Sequence, residues 1–204
     1  MRDEFFGDDR DLFKWSHVLD LAEPDSQIIY VPMCRPDDRL QRRGGTLVRE
    51  DVRRFFREDR MKSIIKIMPD RIVVPSWNTY EDSARKSYFG KVHALLAQVN
   101  SETRRVVFVD PDTGMEPEGT PSSKHIRVSS LAEIWGWLRK DDVLVIYQHA
   151  PQDRRKDWVT AKAQQVSEAL GVPPSDVQRR QELDVCFYWS VKKDASARTV
   201  GSAI

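Results

Sequence analysis

The residues best placed to do chemistry are two aspartates that follow a run of apolar, strand-forming residues. The run Val106–Val109 leads directly into Asp110-Pro111-Asp112-Thr113-Gly114. This pattern predicts a buried strand that ends in a tight acidic loop. Because open α/β sheets bind ligands just beyond the carboxyl ends of their strands, we expect Asp110 and Asp112 to be catalytic residues.

The acidic loop has three chemical interpretations beside that of a plain Asx-type turn. Two carboxylates at a strand end can hold Mg²⁺, with Asp110 and Asp112 as the metal ligands. Alternatively, Asp110 and the proline after it can accept hydrogen bonds from the amino group of a base, as in nucleic-acid amino methyltransferases. The third pattern is the DxD-Thr motif of haloacid-dehalogenase-like phosphatases. That motif normally opens its domain, whereas this loop lies in mid-chain.

Two other motifs offer candidate catalytic side chains. Lys124 lies in a Ser-Ser-Lys segment, whose hydroxyls and ammonium can bind phosphate. His149 comes at the end of the next predicted strand, beside the acidic one, where a histidine can act as a base or ligand. An exposed linker and a structural histidine are the corresponding alternatives.

Candidate cofactor contacts lie in the first forty residues. The Gly7-Asp8 turn precedes the predicted first helix, and Lys14 lies in its first turn. Both are expected to approach a ligand at the edge of the sheet. Asp37 follows the first predicted strand and is a potential ligand for a ribose or a metal. The chain carries no GxGxxG turn at that position, which argues against ordinary dinucleotide binding.

The predicted elements alternate between strands and helices, which indicates an α/β fold with a three-layer, Rossmann-like, mostly parallel sheet. Two closely spaced final strands predict an antiparallel C-terminal hairpin at one edge. Ser129 and Ser130 are expected to cap a helix. The predicted helices cover 11–22, 49–67, 83–99, 129–138 and 157–170, and the predicted strands cover 27–32, 71–75, 105–109, 143–148, 177–180 and 185–191.

Composition limits the classes of protein that are possible. A chain of 204 residues with 40% hydrophobic and 32% charged residues predicts one α/β domain over 1–193 and a flexible tail over 194–204. Neither a membrane-spanning run nor a signal peptide is expected, and the two distant cysteines fit a reduced, cytoplasmic setting. The net charge is +1, but an arginine-rich segment at 35–57 is a candidate nucleic-acid contact.

These blocks carry two resemblances. The FGDxxDLFKW, DPDTG, SSK and YQH blocks resemble those of a family of uncharacterised bacterial proteins, which implies no particular activity. The layout is also similar to the ribosomal RNA adenine-N6 methyltransferases, in which a Gly-Asn-x-x-Asp-Val-Leu-Lys-His block precedes the first strand and an Asp-Pro-Pro-Tyr motif follows a hydrophobic one. Gly7-Asp8-x-x-Asp11-Leu12-Phe13-Lys14-Trp15 and Asp110-Pro111-Asp112-Thr113 stand at those positions, without the second proline, the aromatic residue or a glycine-rich cofactor turn.

The second resemblance implies a methyltransferase-like fold, S-adenosylmethionine as cofactor and adenine in nucleic acid as substrate. On this hypothesis Asp110 accepts from the target amino group, and Asp8 and Lys14 help to form the cofactor pocket. The alternative is a Mg²⁺-dependent nuclease or phosphoesterase, with Lys124 stabilising phosphate charge and His149 as base. A third hypothesis is a non-catalytic protein that binds nucleic acid or a protein partner.

Overall fold

The computed structural model describes residues 9–34, 65, 68, 70–77, 80–99, 102–117, 122–151, 157–182 and 184–194. The helices are α1 (Asp9–Leu21), α2 (Arg85–Gln98), α3 (Val128–Trp137) and α4 (Trp158–Leu170), with 3-10 turns at Asp82–Ala84 and Pro174–Asp176. The strands are β1 (Gln27–Pro32), β2 (Ile72–Val73), β3 (Arg105–Asp110), β4 (Gly114–Met115), β5 (His125–Ile126), β6 (Val143–His149), β7 (Gln178–Glu182) and β8 (Val185–Val191).

Six strands form one mixed sheet in the order β2-β1-β3-β6-β8-β7. The first four run parallel to one another, whereas β8 is antiparallel to both β6 and β7. The mostly parallel α/β sheet with an antiparallel C-terminal hairpin is therefore confirmed. None of the described helices is both long and apolar enough to cross a membrane.

Both faces of the sheet are covered, which explains why its central strands read as continuous apolar runs. Every residue of β3 is buried, and its side chains alternate between two cores. One core receives α2, α3 and α4 from one side, and the other receives α1 through Trp15 and Val18. The candidate site residues at the strand ends are thus held by a sheet packed on two sides.

Most predicted boundaries agree with the described elements to within two or three residues. The predicted helix 49–67 lies outside the described residues, apart from position 65, as does most of the predicted tail. The short parallel pair β4–β5 was not predicted. Strands of two residues leave no periodic pattern in a sequence.

The predicted Ser129-Ser130 cap is wrong. Helix α3 begins at Val128, and its backbone N–H donates to the Glu116 carboxylate at 2.8 Å. The two serine hydroxyls instead accept hydrogen bonds from the Arg85 guanidinium, each at 2.8 Å. A carboxylate from a distant loop therefore satisfies the helix terminus, and the serines are available to join α3 to α2.

A buried ion pair ties the start of β3 to the turn before β6. Arg105 is 2% exposed, and its guanidinium donates to the Asp142 carboxylate and to the Leu96 carbonyl. Asp142 also accepts from the backbone N–H groups of Arg105 and Arg139, at 3.0 and 2.7 Å. Both carboxylate oxygens of Asp142 are therefore hydrogen-bonded, as a buried charge requires.

Helix α1 carries a buried histidine against the closing hairpin. His17 is 4% exposed, and its ring lies 4.7 Å from the ring of Phe187 and 4.8 Å from that of Trp189. Burial, and then the positive charge of Arg180, lower the pKa of His17 from 6.5 to about 4, against the opposing effect of Asp20. The folded protein therefore holds this imidazole uncharged at neutral pH.

We expect Asp142→Asn to destabilise the fold by about 3 kcal/mol, because it leaves the buried Arg105 charge without its counter-ion. Asp141→Asn is the matched control, since Asp141 is exposed and asparagine tolerates its positive φ of 68°. Chemical denaturation measures both free energies of unfolding. Equal, small effects of the two variants would contradict the role given to the Arg105–Asp142 pair.

We expect the free energy of unfolding to fall as the pH drops from about 6.5 to about 4, because the unfolded state protonates His17 before the folded state does. The contribution of this histidine is of the order of 3 kcal/mol. Denaturation at several pH values should show a flatter dependence in His17→Phe, which keeps an aromatic ring there. His93→Gln, at an exposed histidine, is the control, and an unchanged slope in His17→Phe would refute the assignment.

Candidate functional site

The candidate site lies where the strand order of the sheet reverses. Strand β1 is flanked by β2 on one side and by β3 on the other, so the chain moves from β1 to β2 in one direction and then back past β1 to β3. Such a switch point opens a crevice beyond the carboxyl ends of the two strands, where ligands bind in open α/β sheets. Asp110 ends β3 at this position, opposite Pro32 of β1, and the Met33 N–H donates to the Asp110 carbonyl at 3.0 Å.

Asp110 forms a buried ion pair with Lys14 of α1. The Lys14 Nζ lies 3.1 Å from the Asp110 Oδ2, and the two side chains are 3% and 1% exposed. The Tyr30 hydroxyl donates to the same oxygen at 2.8 Å. Two residues chosen from the sequence for different roles, Lys14 for a cofactor and Asp110 for catalysis, are therefore in direct contact.

The second carboxylate oxygen of Asp110 is buried and has no hydrogen-bond partner in the described part of the chain. An ionised carboxylate offers about four acceptor positions, and leaving one oxygen unbonded in the interior costs free energy. The Asp110 Oδ1 is therefore a buried acceptor to which none of the described residues donates. This is the feature of the site that most directly indicates a ligand.

Aromatic rings fix the position of the Lys14 ammonium. The Nζ lies 4.6 Å from the centroid of the Tyr147 ring, a cation–π distance. Trp15, the next residue of α1, packs edge-on against Tyr30 with ring centroids 4.9 Å apart. His149, the predicted base, is half-buried and packs edge-on against Tyr147 at 4.8 Å. His149 therefore lies near the lysine through this shared tyrosine.

Two tyrosines hold the end of β1 from the other face of the sheet. The Tyr88 hydroxyl of α2 donates to the Pro32 carbonyl at the end of β1, and the Tyr80 N–H donates to the Cys34 carbonyl at 2.7 Å. Burial raises the pKa of Tyr88 well above its usual value, with further contributions from Cys34 and Asp110. Tyr88 therefore stays protonated and acts as a donor.

The acidic loop is fastened to β6 by the side chain of Gln148. The Gln148 Oε1 accepts from the Met115 N–H at 2.7 Å, and its Nε2 donates to the carbonyls of Thr113 and His149 at 3.2 and 2.6 Å. Gly114 allows this approach, because it has a φ of +109° and a Cβ there would overlap the Gln148 amide. The DPDTG and YQH blocks thus form one structural unit.

The second acid of the loop lies in a different environment from the first. Asp112 is half-buried, and its charge raises the pKa of His125 against a larger lowering effect of burial and of Lys162 and Lys124. Lys124 itself is exposed, and its backbone carbonyl accepts from the Thr113 N–H at 3.1 Å. The Asp112 charge thus acts on His125, whose Nδ1 lies 2.9 Å from the Ser122 hydroxyl.

The remaining predicted contacts are Gly7, Asp8, Asp37 and the arginine-rich segment 35–57, and all lie outside the described residues. The role of Asp110 and Asp112 as metal ligands stays a prediction. Within the described ranges no group of three or more His, Cys, Asp or Glu side chains is arranged to hold a metal ion.

Two residues that shape the site were not assigned a role from the sequence. Tyr30 is the polar-tipped ring within the apolar β1, and Gln148 is the amide within the apolar β6. A polar atom on a buried strand needs a partner, so each residue carried a detectable signal. The identity of that partner depends on packing between distant segments.

We expect Gly114→Ala to destabilise the protein by at least about 2 kcal/mol, because it combines a strained φ with a clash against Gln148. Gly136→Ala is the control: a Cβ on this helical glycine meets nothing within 4 Å, so that variant should be neutral or more stable by up to about 1 kcal/mol. Thermal unfolding distinguishes the two. Similar melting temperatures for both variants would contradict the described loop geometry.

Comparison with protein-family models, with curated protein sequences and with solved structures finds no match to this chain. The similarity in layout to the ribosomal RNA adenine-N6 methyltransferases therefore stays a prediction from the motifs. The contacts, burial and charges of the site are the basis for proposing a function.

Proposed function

We propose that this protein transfers a methyl group to the exocyclic amino group of a nucleobase in nucleic acid, with adenine as the expected base. The observation that supports this most directly is the buried Oδ1 of Asp110 at the switch point, which accepts no hydrogen bond from the described residues. An acceptor that is ionised and already held through its other oxygen is suited to bind an N–H donor. The DP sequence of the loop and the closing antiparallel hairpin are what the methyltransferase resemblance implies.

The chemistry asked of the chain is mainly positioning. The methyl donor, S-adenosylmethionine, supplies an activated methyl group on a sulfonium when it is bound. Asp110 would orient the amino group by accepting a hydrogen bond from it, so that the nitrogen lone pair points away from the carboxylate. Lys14 and Tyr30 hold the opposite oxygen of Asp110 and so prevent the carboxylate from rotating.

The cofactor would bind beyond the carboxyl end of β1, at the switch point. Met33 and Cys34 follow β1 at the switch point, and both are buried. They are the described residues that would line the cofactor pocket, together with the predicted Gly7, Asp8 and Asp37. Lys14 already binds Asp110, so in this proposal it acts on the acceptor rather than on the cofactor.

Phosphodiester chemistry with Mg²⁺ is the competing function. It depends on Asp110 and Asp112 acting together, whereas the proposed methyl transfer depends on Asp110 alone. The two acids lie in different surroundings, one wholly buried against Lys14 and one half-buried near His125. Separate substitution of the two acids therefore distinguishes the functions.

We expect Asp110→Asn to reduce methyl transfer by at least about 100-fold. The Lys14 and Tyr30 donors would hold the amide oxygen, so the new NH₂ group would occupy the vacant acceptor position and repel the target amino group. The measurement is transfer of labelled methyl from S-adenosylmethionine to DNA and RNA oligonucleotides that contain unmodified adenine. Circular dichroism checks that the variant is folded.

Asp112→Asn is the matched control and should retain transfer within about threefold. Calorimetric titration with S-adenosylhomocysteine tests cofactor binding independently of the substrate. The proposal fails if the wild-type chain binds no S-adenosylhomocysteine, or if folded Asp110→Asn transfers methyl at the full rate. Mg²⁺-dependent cleavage of the oligonucleotides that is lost in both variants would establish the competing function instead.

A further inference from the structure

We infer that the Lys14 ammonium determines the class of ligand that Asp110 accepts: an uncharged N–H donor, and not a divalent cation or a protonated amine. The juxtaposition behind this inference is one carboxylate with two unlike oxygens. The Oδ2 receives Lys14 and Tyr30, and the Oδ1 is vacant among the described residues. The inference deepens the proposed function by naming the chemistry of its substrate, and rests on that function for the reaction itself.

The charges of Asp110 and Lys14 disfavour a cation at the Oδ1. Asp110 and Lys14 are both almost fully buried, and together they carry no net charge. A cation at the Oδ1 would bring a second positive charge close to the ammonium in a place that water does not screen. An uncharged amino group brings no charge, yet still forms a strong hydrogen bond because its acceptor is ionised.

Contacts on two sides hold the Lys14 ammonium in place. Lys14 is 3% exposed and is held between the Asp110 carboxylate and the Tyr147 ring, at 3.1 and 4.6 Å. Its neighbour Trp15 packs against Tyr30 and Phe108, so helix α1 is anchored on the sheet at this point. An incoming metal ion cannot displace the ammonium without moving it away from both partners.

A nucleobase with an exocyclic amino group meets this requirement, since that group is uncharged at neutral pH and donates two hydrogens. A base with a carbonyl at the same position would instead bring an oxygen against the Asp110 Oδ1. Two acceptors facing each other in a buried site are unfavourable. Adenine should therefore be bound in preference to hypoxanthine, which has a carbonyl in place of the amino group and carries a hydrogen on the neighbouring N1.

The experiment removes the Lys14 charge and tests whether Asp110 then binds a divalent cation. Lys14→Gln keeps a hydrogen-bond donor for the Oδ2 without the charge, and Lys14→Met keeps the length and the apolar stem. Both are titrated with Mn²⁺ near pH 8, and free Mn²⁺ is followed by electron paramagnetic resonance. We expect at least one folded variant to bind Mn²⁺ about tenfold or more tightly than the wild-type chain.

Two controls assign that binding to Asp110. Adding Asp110→Asn to the Lys14 variant should abolish the gained Mn²⁺ binding. Lys162→Met removes another part-buried lysine, which donates to the Glu116 carbonyl and to the Gln165 Oε1, and should leave Mn²⁺ binding at the wild-type level. Equal Mn²⁺ affinity in the wild-type chain, or none in the folded Lys14 variants, would overturn the inference.

Fluorescence polarisation with adenine- and hypoxanthine-containing oligonucleotides tests the ligand directly. The wild-type chain should prefer adenine by about tenfold, and Asp110→Asn should lose that preference. Equal binding of the two bases by the wild-type chain would overturn the inference. Neither the Mn²⁺ nor the polarisation measurement uses S-adenosylmethionine, so the inference and the methyl transfer can fail separately.

Discussion

The structure depends on the pairing of two buried charges at opposite ends of β3. This strand lies at the centre of the sheet and is wholly buried, yet it begins with Arg105 and ends with Asp110. Each charge requires a partner from another element, because an unpaired charge is not tolerated in the interior. Asp142, just before β6, meets the first, and Lys14 of α1 meets the second. The two pairs thus join β3 to its neighbouring strand and to the helix that covers it.

The two pairs differ in a way that separates a structural role from a functional one. At the start of β3 both oxygens of Asp142 are hydrogen-bonded, by the Arg105 guanidinium and by two backbone N–H groups. At the end of β3 the Asp110 Oδ2 is bonded twice, but the Oδ1 has no partner among the described residues. An incompletely bonded buried charge is unfavourable for stability, and its position at the switch point is the basis of the proposed function.

The rest of the site follows from how the loop after Asp110 is held. Gln148 bonds to the backbone on both sides of Gly114, and the glycine leaves space for that amide. The loop is therefore held by β6, the neighbour of β3, and by the Lys124 carbonyl, which accepts from Thr113. The Asp112 charge acts on His125, while Asp110 pairs with Lys14 of α1. Two acids one residue apart thus acquire different surroundings.

The sequence by itself determined the elements of the main sheet and the residues named for a candidate site. Apolar runs and helical spacing are local signals, so the six strands of that sheet and its antiparallel hairpin were predictable, and Asp110 and Lys14 could be named as candidates. Only the tertiary structure decided the partners. Lys14 and Asp110 are 96 residues apart, and Gln148 of β6 bonds to the acidic turn on both sides of Gly114. Ser129 and Ser130 bind Arg85 instead of capping their helix. Which polar groups meet depends on how distant elements pack, and no local pattern in the chain records that.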